Sequence, residues 1–216
     1  MADAGFRVVV AGAGIAGLFM AETLKRAGID FSVYEKADEV GGTWRDNTFP
    51  GLFVDVLSRQ YEFPFRPNYN WSRKYAPSDE ILAYVKRVAR DRGLTEFIRF
   101  REEVAAARFT GGRWHIETAA GRSDVADVFI CATGFLHKPL LPDIPGRESF
   151  AGASFHSARW DHTVNLTGQR VAVIGTGASA VQFVPEIAER RTESSYINCM
   201  ARCTTALSFA RSGPFG

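Results

Sequence analysis

Cysteine is scarce: Cys131, Cys199 and Cys203 are the only three in 216 residues. No two form a Cys-x-x-Cys pair, and none stands with histidine at zinc-ligand spacing. A disulfide framework, a redox dithiol and a structural zinc site are therefore excluded. Cys131 lies inside an apolar run and is expected to be a small core residue. Charge of one sign is lacking too. The net charge is +2, which argues against a general nucleic-acid or membrane surface. No apolar run approaches the ~18 residues that span a bilayer. The start runs from Met1 straight into the strand-like Phe6–Ala11, without a charged segment followed by an apolar one, so no secretory signal is expected. A cytoplasmic protein is the expectation. No Ser/His/Asp set or carboxylate pair of the hydrolytic kind stands out either. What is present is ordinary for a globular α/β protein: 46% apolar and 23% charged residues, and length for one large domain or one domain with part of another.

Residues 6–11 read as a buried strand, Ile15 to Arg26 as a helix with Gly28 just past its end, and Phe31–Glu35 as a second strand. This βαβ opening predicts a parallel sheet. Residues 41–78, rich in aromatics, Gly and Pro, read as ordered loop. A helix is expected from about Asp79 to Arg92, with Ser78 as its cap and Ile81, Leu82, Val85 and Val88 on one face. Strands are expected at 103–109, 113–118 and 124–131, with Gly111-Gly112 as a hairpin turn. The Pro-rich stretch 139–145 reads as a linker. Val171–Ile174 and Ala178–Glu189 repeat the strand–helix opening about 160 residues on.

Between the first strand and helix stands Gly12-Ala13-Gly14-Ile15-Ala16-Gly17, and Glu35 ends the next strand. A lone GxGxxG is weak. With a strand before it, a helix after it and an acid at this distance it is a dinucleotide-binding fingerprint. The first glycine permits the turn, the second the approach of a pyrophosphate, and the third close helix–strand packing. The helix N-terminus offers N–H groups to the phosphates. Glu35 suits a ribose diol and repels a 2′-phosphate, so FAD or NAD is favoured over NADP.

The next stretch is Gly41-Gly42-Thr43-Trp44, Phe49-Pro50-Gly51 and Asp55. It resembles a motif of class B flavoprotein monooxygenases, particularly type I Baeyer–Villiger monooxygenases. The resemblance implies an FAD-binding, Rossmann-type, three-layer α/β domain (residues 1–138) and the start of a second, NADP-binding Rossmann domain. It places Thr43, Trp44 and Asp55 at the flavin, with Asp55 an active-site residue near both isoalloxazine and nicotinamide. Ser58-x-x-Tyr61-x-Phe63 continues the likeness. Tyr61 is either a flavin-side aromatic or core packing. Ala132-Thr133-Gly134 is similar to the family's ATG turn, where backbone approaches the cofactor, and Val104 falls where the family packs a strand residue near the adenine. The implied FAD set is thus Gly12, Gly14, Ile15, Ala16, Gly17, Glu35, Lys36, Thr43, Trp44, Asp55, Tyr61, Val104, Ala132 and Thr133.

Phe150-x-Gly152-x-x-x-His156-x-x-x-Trp160 resembles the Baeyer–Villiger fingerprint FxGxxxHxxxW, with Asp161 where many members carry Pro. Residues 139–168 are read as the interdomain linker that holds it. His156 is expected either to couple domain position to turnover or to be structural. Gly175-Thr176-Gly177-Ala178-Ser179-Ala180 resembles the family's NADPH loop, with Val181-Gln182 extending the match, and opens the partial NADP domain at 169–216. Beyond Arg190 the pattern lapses. Residues 191–202 are polar and without a convincing buried strand, and Arg202 is the nearest basic residue for a 2′-phosphate. The expectation is a C-terminally truncated family member whose tail, from about 191, is divergent or out of frame.

The function implied is an FAD- and NADPH-dependent monooxygenase that inserts one oxygen of O2 into a ketone, or oxygenates a heteroatom, through a C4a-peroxyflavin. Its partners are that small-molecule substrate and O2. The alternative is a truncated, non-catalytic FAD-binding fragment or pseudoenzyme. A pyridine-nucleotide disulfide reductase shares both glycine loops but needs a redox cysteine pair after the first, and none is present.

Overall fold

The computed structural model describes residues 5–189, 193–197 and 207–211, the last two stretches as backbone alone. Packing divides the chain into two units. The first holds residues 1–45, 62–68 and 79–137, the second 46–61, 69–78 and 138–216. The sequence suggested cuts at 138/139 and 168/169, on either side of a linker. The structure instead assigns two internal pieces of the aromatic loop to the second unit.

In the first unit, β1 (Arg7–Ala11) and β2 (Asp30–Glu35) flank α1 (Ile15–Arg26). β1 pairs in parallel with β2 on one side and with β7 (Val128–Cys131) on the other, and β2 pairs with β3 (Ile98–Phe100). The sheet order is β3-β2-β1-β7. Val8, Val9 and Val10 are buried, as continuous apolar strands covered on both faces must be. α2 (Thr43–Asp46) is one short turn, and α3 (Ser78–Asp91) buries Ile81, Tyr84, Val85, Val88 and Ala89. Their i, i+3, i+4 spacing puts them on one face.

A second layer comes from β4 (Val104–Thr110), β5 (Arg113–Thr118) and β6 (Ser123–Ala126), an antiparallel meander. Gly111 and Gly112 both take positive φ (58° and 79°), the left-handed pair that a two-residue hairpin turn requires. Ile116 and Ala126 of the meander are buried with Val9 and Tyr34 of the parallel sheet, and Val104, Ala107, Trp114 and Phe129 pack around them. The single strand expected at 124–131 is two strands, in different sheets. Asp127 marks the break: its side chain accepts from the Arg7 amide at 2.8 Å, so the chain turns there from meander to parallel edge.

In the second unit, β8 (Ala153–His156), β9 (Arg170–Ile174), β10 (Glu193–Ile197) and β11 (Leu207–Arg211) form a mixed sheet of order β10-β9-β11-β8. α4 (Ala178–Glu189) follows β9. Its core joins Val171, Val173, Ala180, Phe183 and Ile187 to Phe49 and Leu166. Fully burying a side chain such as Phe183 contributes about 2–3 kcal/mol.

Two sequence expectations change. Residues after 190 were expected to lack a strand, yet β10 pairs with β9 in parallel from Glu193↔Arg170 to Ile197↔Ile174. Parallel pairing is made by backbone N–H and C=O groups, which a polar sequence keeps, so apolar periodicity was the wrong guide. Arg202, Cys199 and Cys203 lie outside the described residues. Cys131 is exposed rather than core. It ends β7, the last strand in its sheet, and an edge strand is covered less than the strands inside it.

Candidate functional site

The first glycine loop is fixed by its neighbours. The Gly12 amide donates to the Tyr34 carbonyl (2.7 Å), Ala132 donates to Ala11 (2.8 Å) and Gly41 to Ala13 (3.2 Å). The three glycines differ in what requires them. Gly12 has φ +103°, and a Cβ there would sit 2.5 Å from the Ala132 carbonyl oxygen. A Cβ on Gly17 would come within 1.8 Å of the Gly12 oxygen, so helix and turn close together only over a glycine. Gly14 is otherwise. Its φ is an ordinary −76°, and an added Cβ would meet only the Gly42 Cα, at 3.7 Å. The protein's own packing does not require glycine at 14.

Gly14 caps the N-terminus of α1 without a side-chain hydrogen bond, and the first turn of the helix carries no acidic residue.

Glu35 is buried beside this loop. One carboxylate oxygen accepts from the Ala13 amide (2.7 Å); the other accepts from the Ala37 amide (3.0 Å) and from Arg45 Nη1 (3.3 Å). A carboxylate offers about four acceptor positions, so three bonds leave capacity for a ribose hydroxyl. Arg45 also donates to the Glu39 carbonyl at 2.6 Å. It thereby ties α2, the turn of the tryptophan motif, to the acid at the end of β2. Sequence reasoning missed Arg45; an arginine directly after a cofactor-loop Trp, ten residues from the acid, was the available signal.

The other expected FAD residues are placed as follows. Thr43 is exposed on α2 and Trp44 is buried. Lys36 Nζ lies 2.5 Å from His137 Nε2. Ala132 and Thr133 follow β7 beside Gly12, and Thr133 Oγ1 lies 3.4 Å from Cys131 Sγ. Val104 is half-buried and packs against the sheet-face core, which gives it a structural task. All of these belong to the first unit, whereas Asp55 (exposed) and Tyr61 (half-buried) belong to the second.

Beside the core between the parallel sheet and the meander lies a polar cluster. Asp124 accepts from Arg7 (2.8 Å) and from the Tyr34 hydroxyl (2.8 Å), and Arg7 also reaches Asp30 (2.7 Å). Burial, helped by the Asp124 carboxylate, pushes the Tyr34 phenol up to about 12. Burial opposes ionisation of Asp124, but the Arg7 and Tyr34 hydrogen bonds prevail and hold its carboxyl below the usual range.

In the second unit, Gly175 has φ +118° and leads into α4, whose first turn likewise carries no acidic residue. Thr176 and Ala178 are exposed, Gly177 and Ser179 half-buried, and Ala180 faces the core. Trp160 of the fingerprint packs edge-on to Phe183 (5.1 Å between ring centroids) and to Phe155 (5.2 Å). His156 Nδ1 accepts the Ala158 amide at 2.9 Å and so caps the short turn after β8. That bond needs an unprotonated Nδ1. Burial, with Arg159 nearby, lowers the His156 pKa and keeps it so. Asp161, in the position of the family's Pro, accepts from the Thr163 amide (2.9 Å) and hydroxyl (2.6 Å). This side-chain turn fixes the backbone by hydrogen bonds where Pro fixes it by a ring.

The Phe49-Pro50-Gly51 segment packs on α4. Gly51 has φ +71°, and a Cβ there would lie 2.5 Å from Glu186 Cγ and 2.8 Å from the Gln182 carbonyl oxygen. Gln182, buried, donates Nε2 to the Phe53 carbonyl (2.9 Å) and accepts the Phe53 amide (3.4 Å). Among the described residues no cluster of His, Cys, Asp and Glu is arranged to hold a metal ion, and no helix is long and apolar enough to cross a membrane.

A strand, a glycine loop and a helix, with a buried acid at the end of the next strand, define a Rossmann-type unit, and the strand–loop–helix opening recurs in the second unit. Comparison with known proteins narrows this class. The flavin-binding monooxygenase-like family model matches residues 5–203. A Baeyer-Villiger monooxygenase of Streptomyces coelicolor is 51% identical over 184 residues, 84% of this chain and 35% of that protein. One from Pseudomonas aeruginosa is 42% identical over 184 residues, with the same coverage. Among solved structures, an oxidized steroid monooxygenase bound to NADP superposes with a TM-score of 0.78 at 40% identity, covering 88% of this chain and 38% of that one. An open form of cyclohexanone monooxygenase gives 0.80 at 31% identity, covering 89% and 39%. This chain belongs to the flavin-binding monooxygenase-like family. It spans about a third of the length of the curated relatives it matches.

Proposed function

We propose that the chain carries the FAD-binding and NADPH-binding loops of a Baeyer–Villiger-type monooxygenase, acting on a ketone or a soft heteroatom with O2. The observation that supports this reading is the first glycine loop: Gly12 and Gly17 are required by the protein's own packing, Gly14 is not, and the buried Glu35 accepts the Ala13 amide beside it. When bound, FAD supplies hydride acceptance from NADPH and oxygen activation. The chain's residues bind and orient. Gly12–Gly17 and the α1 N-terminus take the FAD pyrophosphate, Glu35 the adenosine ribose, and Thr43 and Trp44 the flavin side. Gly175–Ala180 and the start of α4 take the NADP pyrophosphate. Asp55 offers a carboxylate acceptor toward the nicotinamide, and His156 holds the fingerprint strand.

An NADPH-using protein with an unpaired Cys131 suits the reducing cytoplasm.

The test is the visible spectrum of the purified chain after incubation with FAD and desalting, followed by anaerobic NADPH. A retained flavin band bleached by NADPH is the expected result. A band that NADPH does not bleach would mean a flavin-holding module without reductase function. Loss of all flavin would overturn the reading for this chain.

A further inference from the structure

We propose that Gln182 is a positioning residue that fixes the Asp55-bearing segment to the helix opened by the second glycine loop. Its role rests on the reading of that loop as the NADPH site. Both groups belong to the second unit. Gln182 lies in the second turn of α4, four residues after Ala178, where the helix begins. Its amide grips one residue from both sides: Nε2 donates to the Phe53 carbonyl at 2.9 Å, and Oε1 accepts the Phe53 amide at 3.4 Å. A glutamine matches a peptide group in this way because it presents the same donor and acceptor side by side. The side chain is buried, so the grip is shielded from competing water.

Two residues before Phe53, Gly51 is pressed to the same helix. It takes a left-handed φ, and a Cβ there would collide with the Gln182 carbonyl oxygen and the Glu186 side chain. The opposite flank is held by backbone bonds: Val54 donates to Ala76 (3.0 Å), and Ser78 donates to Leu52 (2.9 Å). Residues 51–54 are thus clamped between α4 and residues 76–78, and Asp55 is the first exposed position beyond the clamp. Asp55 has a fixed place relative to the second glycine loop because Gln182 sits on the helix that the loop starts. Gln182 itself need touch no ligand.

The test compares wild type with Gln182→Met and Gln182→Ala. Met keeps the buried volume and removes both hydrogen bonds; Ala also leaves a void. In the ligand-free chain, amide exchange at Phe53 should quicken by about tenfold in Gln182→Met, with Val8–Ala11 unchanged. With both cofactors bound, the rate of flavin reduction should fall by ~10- to 100-fold, while the NADPH KM moves less than about threefold, since misplacement costs rate rather than affinity. Gln182→Met with wild-type exchange at Phe53 and a wild-type reduction rate would overturn the proposal, as would a loss confined to NADPH affinity. Should wild type itself prove unreducible by NADPH, the functional reading fails separately, and Phe53 exchange still decides whether Gln182 holds the segment.

Discussion

Glycines that look alike in the sequence carry different loads. At Gly17 the load is internal, so Gly17→Ala should destabilise the first unit by about 3 kcal/mol, read as a lower denaturant midpoint with or without FAD. At Gly14 the proposed load is external, a bound pyrophosphate. Gly14→Ala should melt like wild type yet lose at least about tenfold in FAD affinity by fluorescence titration. Wild-type affinity in Gly14→Ala would contradict the pyrophosphate placement. Titrating groups give a second residue-scale expectation. His156 is held below its ordinary pKa by burial and by Arg159, so the unfolded chain takes up its proton first as pH falls. Its stabilising contribution is whole above about pH 6.5 and declines below it. A melting-temperature profile from pH 8 to 5 should therefore drop less steeply for His156→Gln than for wild type. Tyr34 has the opposite sign. Its pKa is raised to about 12, so its contribution holds below about pH 10 and is lost as pH climbs toward 12. Tyr34→Phe should flatten alkaline melting over that window.

Elements were legible where local chemistry decides them. Both glycine-loop helices begin and end where the sequence places them, because a strand, a Gly-rich turn and an apolar face are all local signals. Gly111-Gly112 marked its hairpin for the same reason. What escaped the sequence depends on partners. Asp127 breaks the run 124–131 because Arg7, 120 residues earlier, takes its carboxylate. β10 exists because β9 offers a parallel edge, not because its own side chains ask for burial. The expected linker holds a strand, β8, since β11 pairs with it. Gln182 read as a continuation of a motif; its task became visible only with Phe53 beside it. The same dependence gives an element-scale prediction. Gly51→Ala should loosen the 51–54 segment through the contact with α4, raising amide exchange at Val54 by about tenfold and leaving the meander 104–126 unchanged.

For the whole molecule, two loops of one design imply two ligands with separate footprints. FAD should slow amide exchange in β1 and the turn at 12–17, and NADP+ should slow it in β9 and the start of α4, each by stabilising the form that binds. Protection of both units by either nucleotide alone would show that the loops do not discriminate. The chain passes from one unit to the other at 45/46, 61/62, 68/69, 78/79 and 137/138, so neither unit is a single stretch of sequence. A gene cut at 137/138 would leave Phe49, which belongs to the core around Phe183, on the wrong piece. Grafting the nucleotide-binding half of one relative onto another at that boundary would join one protein's Phe49–Phe53 strap to another's α4. Such hybrids should fail unless the strap travels with the helix. The heritable module is then a pair of separated stretches that must change together, and exchange between relatives is constrained at residue 51 as tightly as at the linker.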